Sequence, residues 1–181
     1  KVAEQYIKDK NIFAFANDGT AHPSVVAAYS NSIQEIAERT RLGIPVTFHS
    51  HGGRPDNSLT WTSFPSPLGM GAANDLDLIE KWGEILAAEY RAMGIHVRIY
   101  PMIDVATEPR WSRIQDLFSE DANKVADIAL AYLKGSRGEN GGPAIISEFK
   151  HFPGGGAAPA GKDPHVKEGS VYTFPGNNFE Y

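Results

Sequence analysis

Apolar and polar positions along the chain follow two alternating rhythms. Short apolar runs stand at 11–16 (NIFAFA), 44–49 (IPVTFH), 96–103 (HVRIYPMI) and 144–150 (AIISEFK). Each has the length and residue choice of a strand. Longer stretches between them carry apolar residues at helical spacing. Segment 24–41 presents Val25, Val26, Tyr29, Ile33, Ile36 and Ala37; segment 75–93 presents Leu78, Ile79, Trp82, Ile85, Leu86 and Met93; segment 121–134 presents Val125, Ile128, Ala129, Tyr132 and Leu133. Gly43, Gly94 and Gly135 follow the three predicted helices and are expected as left-handed C-caps. Strands alternating with helices predict an α/β fold with a parallel sheet. A complete (β/α)8 barrel takes about 250 residues. Four units in 181 residues therefore read either as a doubly wound sheet or as a partial TIM-like barrel with long loops.

Composition narrows the partners. With 41% hydrophobic residues the chain can bury an ordinary core. A net charge of -5, with acids and bases interspersed, leaves no basic stripe for nucleic acid or an anionic membrane. No apolar run approaches the roughly 18 residues of a membrane helix, and KVAEQYIKDK does not resemble a signal peptide. The absence of cysteine excludes disulfides and thiolate metal sites but leaves the compartment open. A periplasmic or secreted setting is favoured over the cytoplasm.

Parallel α/β folds place their chemistry beyond the carboxyl ends of the strands. Here those ends read HSHGGRPDN, IDVATEPRWSR and KHFPGGG. Histidines, arginines, a lysine and carboxylates on one rim suit a polyhydroxylated ligand, although each taken singly could be capping a loop. From Pro153 to Tyr181 the 29 residues hold six glycines and four prolines with no periodic pattern. Irregular segments this long usually serve a site, so 153–181 is expected to be a long active-site loop.

Particular motifs then carry a resemblance. GIPVTF, the segment FPSPLGMGAANDLDLIEKWGEILAAEYRAMGIHV, PMIDVATEPRWSRIQDLFSED and KHFPGGG with KDPH and VYTFPGNNFEY resemble the N-terminal barrel domain of glycoside hydrolase family 3 over about Leu42 to Tyr181. The spaced set PRWSR, FSED and KHF is the specific part, and the bacterial β-glucosidase-like branch is the most similar. The resemblance implies that residues 1–181 are the N-terminal portion of a catalytic barrel that is incomplete in this chain. It implies that Lys150, His151 and Arg113 donate hydrogen bonds to sugar hydroxyls in the −1 subsite. Cationic donors suit that task, since charge-assisted hydrogen bonds are roughly twice as strong as neutral ones. Arg113 could instead pair with Glu120 or Asp116, Arg110 reads as structural support, and Trp111 could stack on a sugar or pack in the rim.

Two departures from the family pattern stand out. His51 occupies the place of a sugar-binding aspartate, so that either Asp56 replaces it from a shifted loop or the pocket reads its sugar differently. Arg54 is also within reach of the rim. The family's nucleophilic aspartate, from a later strand, has no counterpart in the chain. The resemblance thus implies a retaining β-glucosidase-like hydrolase with no cofactor and no metal. It also implies a nucleophile on the remaining barrel and an acid, a glutamate in typical β-glucosidases of the family, in a downstream domain, both outside these residues. A β-N-acetylglucosaminidase-like alternative would use Asp163 and His165 as an acid/base dyad, against the plainer reading of Asp163-Pro164 as a turn. Two further alternatives are a non-catalytic carbohydrate-binding homologue and a metal-dependent amidohydrolase using His49, His51 and Lys150, since alternate strand residues share a face.

Overall fold

Four parallel strands pair in chain order: β1 (Ala14–Ala16), β2 (Thr47–Ser50), β3 (Val97–Arg98) and β4 (Ile146–Ser147). This computed structural model describes residues 2–17, 21–51, 61–152, 154, 159–163 and 165–166. Sequential order with right-handed crossovers sends every connecting helix to one face of the sheet. A barrel wall requires this, whereas the order of an open doubly wound sheet reverses. The parallel sheet and its sequential order agree with the expected partial barrel.

The helices are α1 (Val2–Lys10), α2 (Pro23–Glu38), α3 (Pro67–Ala73), α4 (Leu76–Ala92) and α5 (Ala122–Ser136). Their starts are written in the sequence. Asp75 accepts from Leu78 N at 3.0 Å at the start of α4, and Asp121 accepts from Asn123 N and Lys124 N at 2.8 and 3.1 Å at the start of α5. Two helices escaped the periodicity. Short α1 buries only Ile7. Glycine-bearing α3 reads as a loop until Ser66 at its N-cap, Pro67 behind it and the left-handed Asn74 at its end are taken together.

Gly43 and Gly94 do take positive φ, at 61° and 77°. Gly135 does not end a helix. It lies inside α5, which runs on to Ser136, and the positive φ falls at Gly138. Gly135 is there for packing: a Cβ on it would stand 2.0 Å from Glu80 O of α4, and one on Gly83 would stand 2.5 Å from Tyr132 O of α5. The two helices touch backbone to backbone. Val25, Tyr29 and Leu78, assigned by spacing to apolar helix faces, are largely exposed, and the buried stripe of α2 is Val26, Ser30, Ile33 and Ala37.

The core lies between sheet and helices. Phe48 of β2 meets Phe15 of β1, while Trp82 of α4 is ringed by Phe64, Tyr100, Phe118 and Tyr132. Into this core β3 sends Arg98, only 1% exposed. Its guanidinium carbon lies 4.5 Å from the centre of the Tyr100 ring and 5.5–5.8 Å from those of Trp82, Tyr90 and Tyr132. Nη1 donates to Tyr132 Oη at 3.0 Å. Burial opposes the charge, but the three tyrosines outweigh it and hold the guanidinium pKa above its ordinary value.

Candidate active site

The run 96–103 pairs as a strand only at Val97–Arg98, because the ladder then meets Pro101, which has no N–H to give. Pairing resumes one turn of the pleat later. Met102 bridges Lys150, Ile103 N donates to Lys150 O at 2.7 Å, and Glu148 N donates to Arg98 O at 2.8 Å. Lys150 and His151 are thus clamped to the chain leaving β3, at the carboxyl end of the sheet. The Lys150–His151 peptide is cis.

His151 is held twice by one carboxylate. Its backbone N–H donates to Asp104 Oδ2 at 3.0 Å, and its ring Nδ1 lies 3.2 Å from both oxygens of Asp104. Asp104 is 1% exposed. A buried carboxylate on Nδ1 fixes the tautomer and leaves Nε2 as the ring's outward polar atom. Sequence reasoning did not single out Asp104. The signal was a carboxylate placed directly after the apolar run PMI, where a strand ends.

Lys150 is half-buried and touches His51 Nε2 through its ammonium. Burial depresses its pKa, and the neighbouring Arg113 charge depresses it further, against weaker support from Asp116, Asp104 and Glu148. Arg113 lies against Met102, donates Nε to Asp116 Oδ2 at 3.3 Å and stacks its guanidinium 5.7 Å from the Trp111 ring centre. The structure therefore brings Arg113, Lys150, His151 and His51 to one end of the sheet. The Asp116 partner weighed for Arg113 is also present. Arg110 makes a two-pronged pair with Glu108 at 2.8 and 2.7 Å, in keeping with a supporting role. Arg54 and Asp56 lie outside the described residues.

Trp111 is packed into the rim. It is 7% exposed, and its Nε1 donates to Asp163 Oδ2 at 2.9 Å. The other oxygen of Asp163 takes His165 Nδ1 at 2.5 Å and His165 N at 2.9 Å. Burial alone would raise the Asp163 pKa, but the hydrogen bonds from His165 and Trp111 outweigh it and bring it to about 2. The His165 ring is edge-on to that of His151, with centroids 6.4 Å apart, and Trp111 stands equally far from His151 on another side. Two aspartate–histidine pairs thus meet at the rim. Among the described residues no group of three histidine, aspartate or glutamate side chains could hold a metal ion, so the ligand set that an amidohydrolase needs is not assembled there.

A cleft of about 480 Å³ opens at the opposite end, where Arg91, His96 and Arg137 flank the start of β4. It is far from this cluster and borders the open edge of the sheet, so we attach no chemistry to it.

Comparison with known proteins adds five findings. Residues 2–173 match the model of the glycosyl hydrolase family 3 N-terminal domain, a span that begins well before Leu42. The probable β-glucosidase C of Aspergillus flavus is 36% identical over 177 residues, covering 93% of this chain and 28% of that protein. The periplasmic β-glucosidase/β-xylosidase of Dickeya chrysanthemi is 35% identical over 191 residues, covering 99% and 29%. Among solved structures, a family 3 β-N-acetylglucosaminidase from Paenibacillus sp. superposes with a TM-score of 0.79 at 25% identity, covering 90% of this chain and 31% of that one. A Listeria innocua β-glucosidase superposes with 0.71 at 29% identity, covering 84% and 21%. The chain spans 28–29% of the length of the two curated relatives.

Proposed function

The chain belongs to glycosyl hydrolase family 3 through that family's N-terminal domain, and on that premise we propose that the complete protein hydrolyses terminal β-glycosidic bonds with retention. Residues 1–181 would form the first part of its catalytic barrel, with 153–181 as an active-site loop. The observation that carries the proposal is the convergence of Lys150, His151 and Arg113 at the carboxyl end of the sheet. A strand end holds such donors rigidly, and sugar hydroxyls supply the oxygen acceptors that half-buried cations need. His51 would border the −1 subsite, with Arg54 and Asp56 close by in sequence. The substrate is then a β-linked glucoside or oligosaccharide, as the names of the relatives suggest.

Retention needs a nucleophilic carboxylate about 5–5.5 Å from an acid/base, with a covalent glycosyl intermediate between two displacements. We place the nucleophile beyond residue 181. The complete protein, given an aryl β-glucoside and followed by NMR, should release the β-anomer first, while the 181-residue chain alone should be inactive. First release of the α-anomer, or brisk turnover by the isolated chain, would overturn the reading. Absence of turnover on any glycoside would favour a non-catalytic carbohydrate-binding homologue.

The 2.5 Å contact between Asp163 and His165 favours a particular acid/base. With Nδ1 held by the carboxylate, Nε2 of the imidazolium would give its proton to the glycosidic oxygen as the C–O electron pair moves to that oxygen. The neutral ring would then take a proton from the water that opens the intermediate. This is the arrangement of the β-N-acetylglucosaminidase-like alternative, here beside donors suited to glucose. His165→Ala should slow glycosides with poor leaving groups and spare activated aryl glycosides. Equal rates for both classes in that variant would move the acid elsewhere.

A further inference from the structure

We propose that Trp111 is a positioning residue for the Asp163–His165 acid/base, and that its indole N–H is the group that acts. The inference rests on the reading of that pair as the acid/base. Asp163 has two carboxylate oxygens with separate duties. Oδ2 takes Trp111 Nε1 at 2.9 Å, and this leaves Oδ1 for His165 Nδ1 at 2.5 Å. A carboxylate tethered at one oxygen cannot rotate away from the imidazole, so the tether fixes the direction in which His165 presents Nε2. Trp111 can serve as an anchor because it is itself immobile. It is packed with Met102 and Leu117 and covered by Arg113.

A second contact two residues upstream of Asp163 supports the same docking. Gly161 has φ of +70°, and a Cβ there would stand 2.6 Å from the carbonyl carbon of Arg110 and 2.7 Å from its oxygen. The loop therefore lies on the backbone of the residue preceding Trp111, at an approach that only glycine permits. Backbone contact at Gly161 and the hydrogen bond at Asp163 fix the loop at two points on one segment. That docking brings the His165 ring to 6.4 Å from the ring of His151, beside the clamped Lys150.

The test uses the complete protein with a series of aryl β-glucosides of graded leaving-group acidity. Trp111→Phe keeps the packed ring and removes only the N–H donor. It should lower kcat/KM about tenfold for poor leaving groups, the order expected for one hydrogen bond to a charged group, and leave the most activated substrates unchanged. The dependence on leaving group steepens, which a merely structural loss would not produce. His165→Ala, run in parallel, separates the two ideas. If His165→Ala steepens the dependence and Trp111→Phe does not, the acid/base reading stands and the positioning role falls. If neither steepens it, both fall. A uniform loss across the series in Trp111→Phe would also refute the positioning role. Should the phenylalanine variant fail to fold, benzothienylalanine at position 111 keeps the shape of the indole without its N–H and must give the same steepening.

Discussion

Two cations on neighbouring strands meet opposite fates. Arg98 on β3 points toward the helices and disappears among Trp82, Tyr90, Tyr100 and Tyr132, where Nη1 has its hydroxyl acceptor and Nε finds no partner among the described residues. Lys150, just past β4, stands half-buried against His51 with another cation near enough to weaken its hold on its proton. The first charge is accommodated entirely from within, by aromatic faces that need no visitor. The second is flanked by His51 and by the Arg113 charge, with Asp116, Asp104 and Glu148 only partly offsetting them, an environment that a sugar hydroxyl would relieve under the function proposed above. Burial of a positive side chain is therefore no sign of a site by itself; what surrounds it decides.

Substitutions can break this contrast. The largest effect is expected for Arg98→Ala, which leaves a cavity and strips the Tyr132 hydroxyl of its donor. Stability should fall by about 3–5 kcal/mol in denaturant titration, while kcat/KM per folded molecule stays unchanged. Arg98→Met, which refills the volume without charge, should come within about 1 kcal/mol of the parent. Lys150→Ala should do the reverse and cost about 10² in kcat/KM on an aryl glucoside with little change in the unfolding midpoint. The contrast collapses if Lys150→Ala destabilises as much as Arg98→Ala, or if Arg98→Ala disables catalysis in molecules that remain folded.

A smaller effect sharpens it on the acid side. The folded pKa of Asp163, about 2, lies below the ~3.9 of an unfolded aspartate, so the carboxylate contributes stability above pH ~3.9 and loses it as the pH falls toward 2. Because the pair sits near solvent, that contribution should be under about 1 kcal/mol. The stability difference between the parent and Asp163→Asn should shrink across this window. A difference that stays constant down to pH 2 would show that the carboxylate's charge plays no part.

Much of the scaffold was legible because helices α2, α4 and α5 repeat their apolar residues along one stripe and announce their starts. Lys150, His151 and Arg113 were legible as a group because parallel strands share a carboxyl end and because the family resemblance singles out these three among the polar residues there. What could not be read was whatever depends on contacts between distant segments. Spacing says nothing of Lys150 meeting His51, 99 residues away, or of Trp111 meeting Asp163. Asp104 was hidden for the same reason, since its importance lies in the histidine it holds. Gly135 was misread because a glycine near a helix end has two physical uses, turning the chain and letting another backbone come close, and sequence alone does not say which operates.

That close approach bears on how such a protein can diverge. Positions 83 and 135 are closed to every residue with a side chain, since even a methyl group would collide with the facing helix. Most neighbouring positions on α4 and α5 face no such absolute bar. The rim is tied differently, through hydrogen bonds such as those of Asp104 and Asp163 and through the contact of Gly161, and none of these holds the helices together. The rim is therefore free to change one loop at a time, while Gly83 and Gly135 hold α4 against α5.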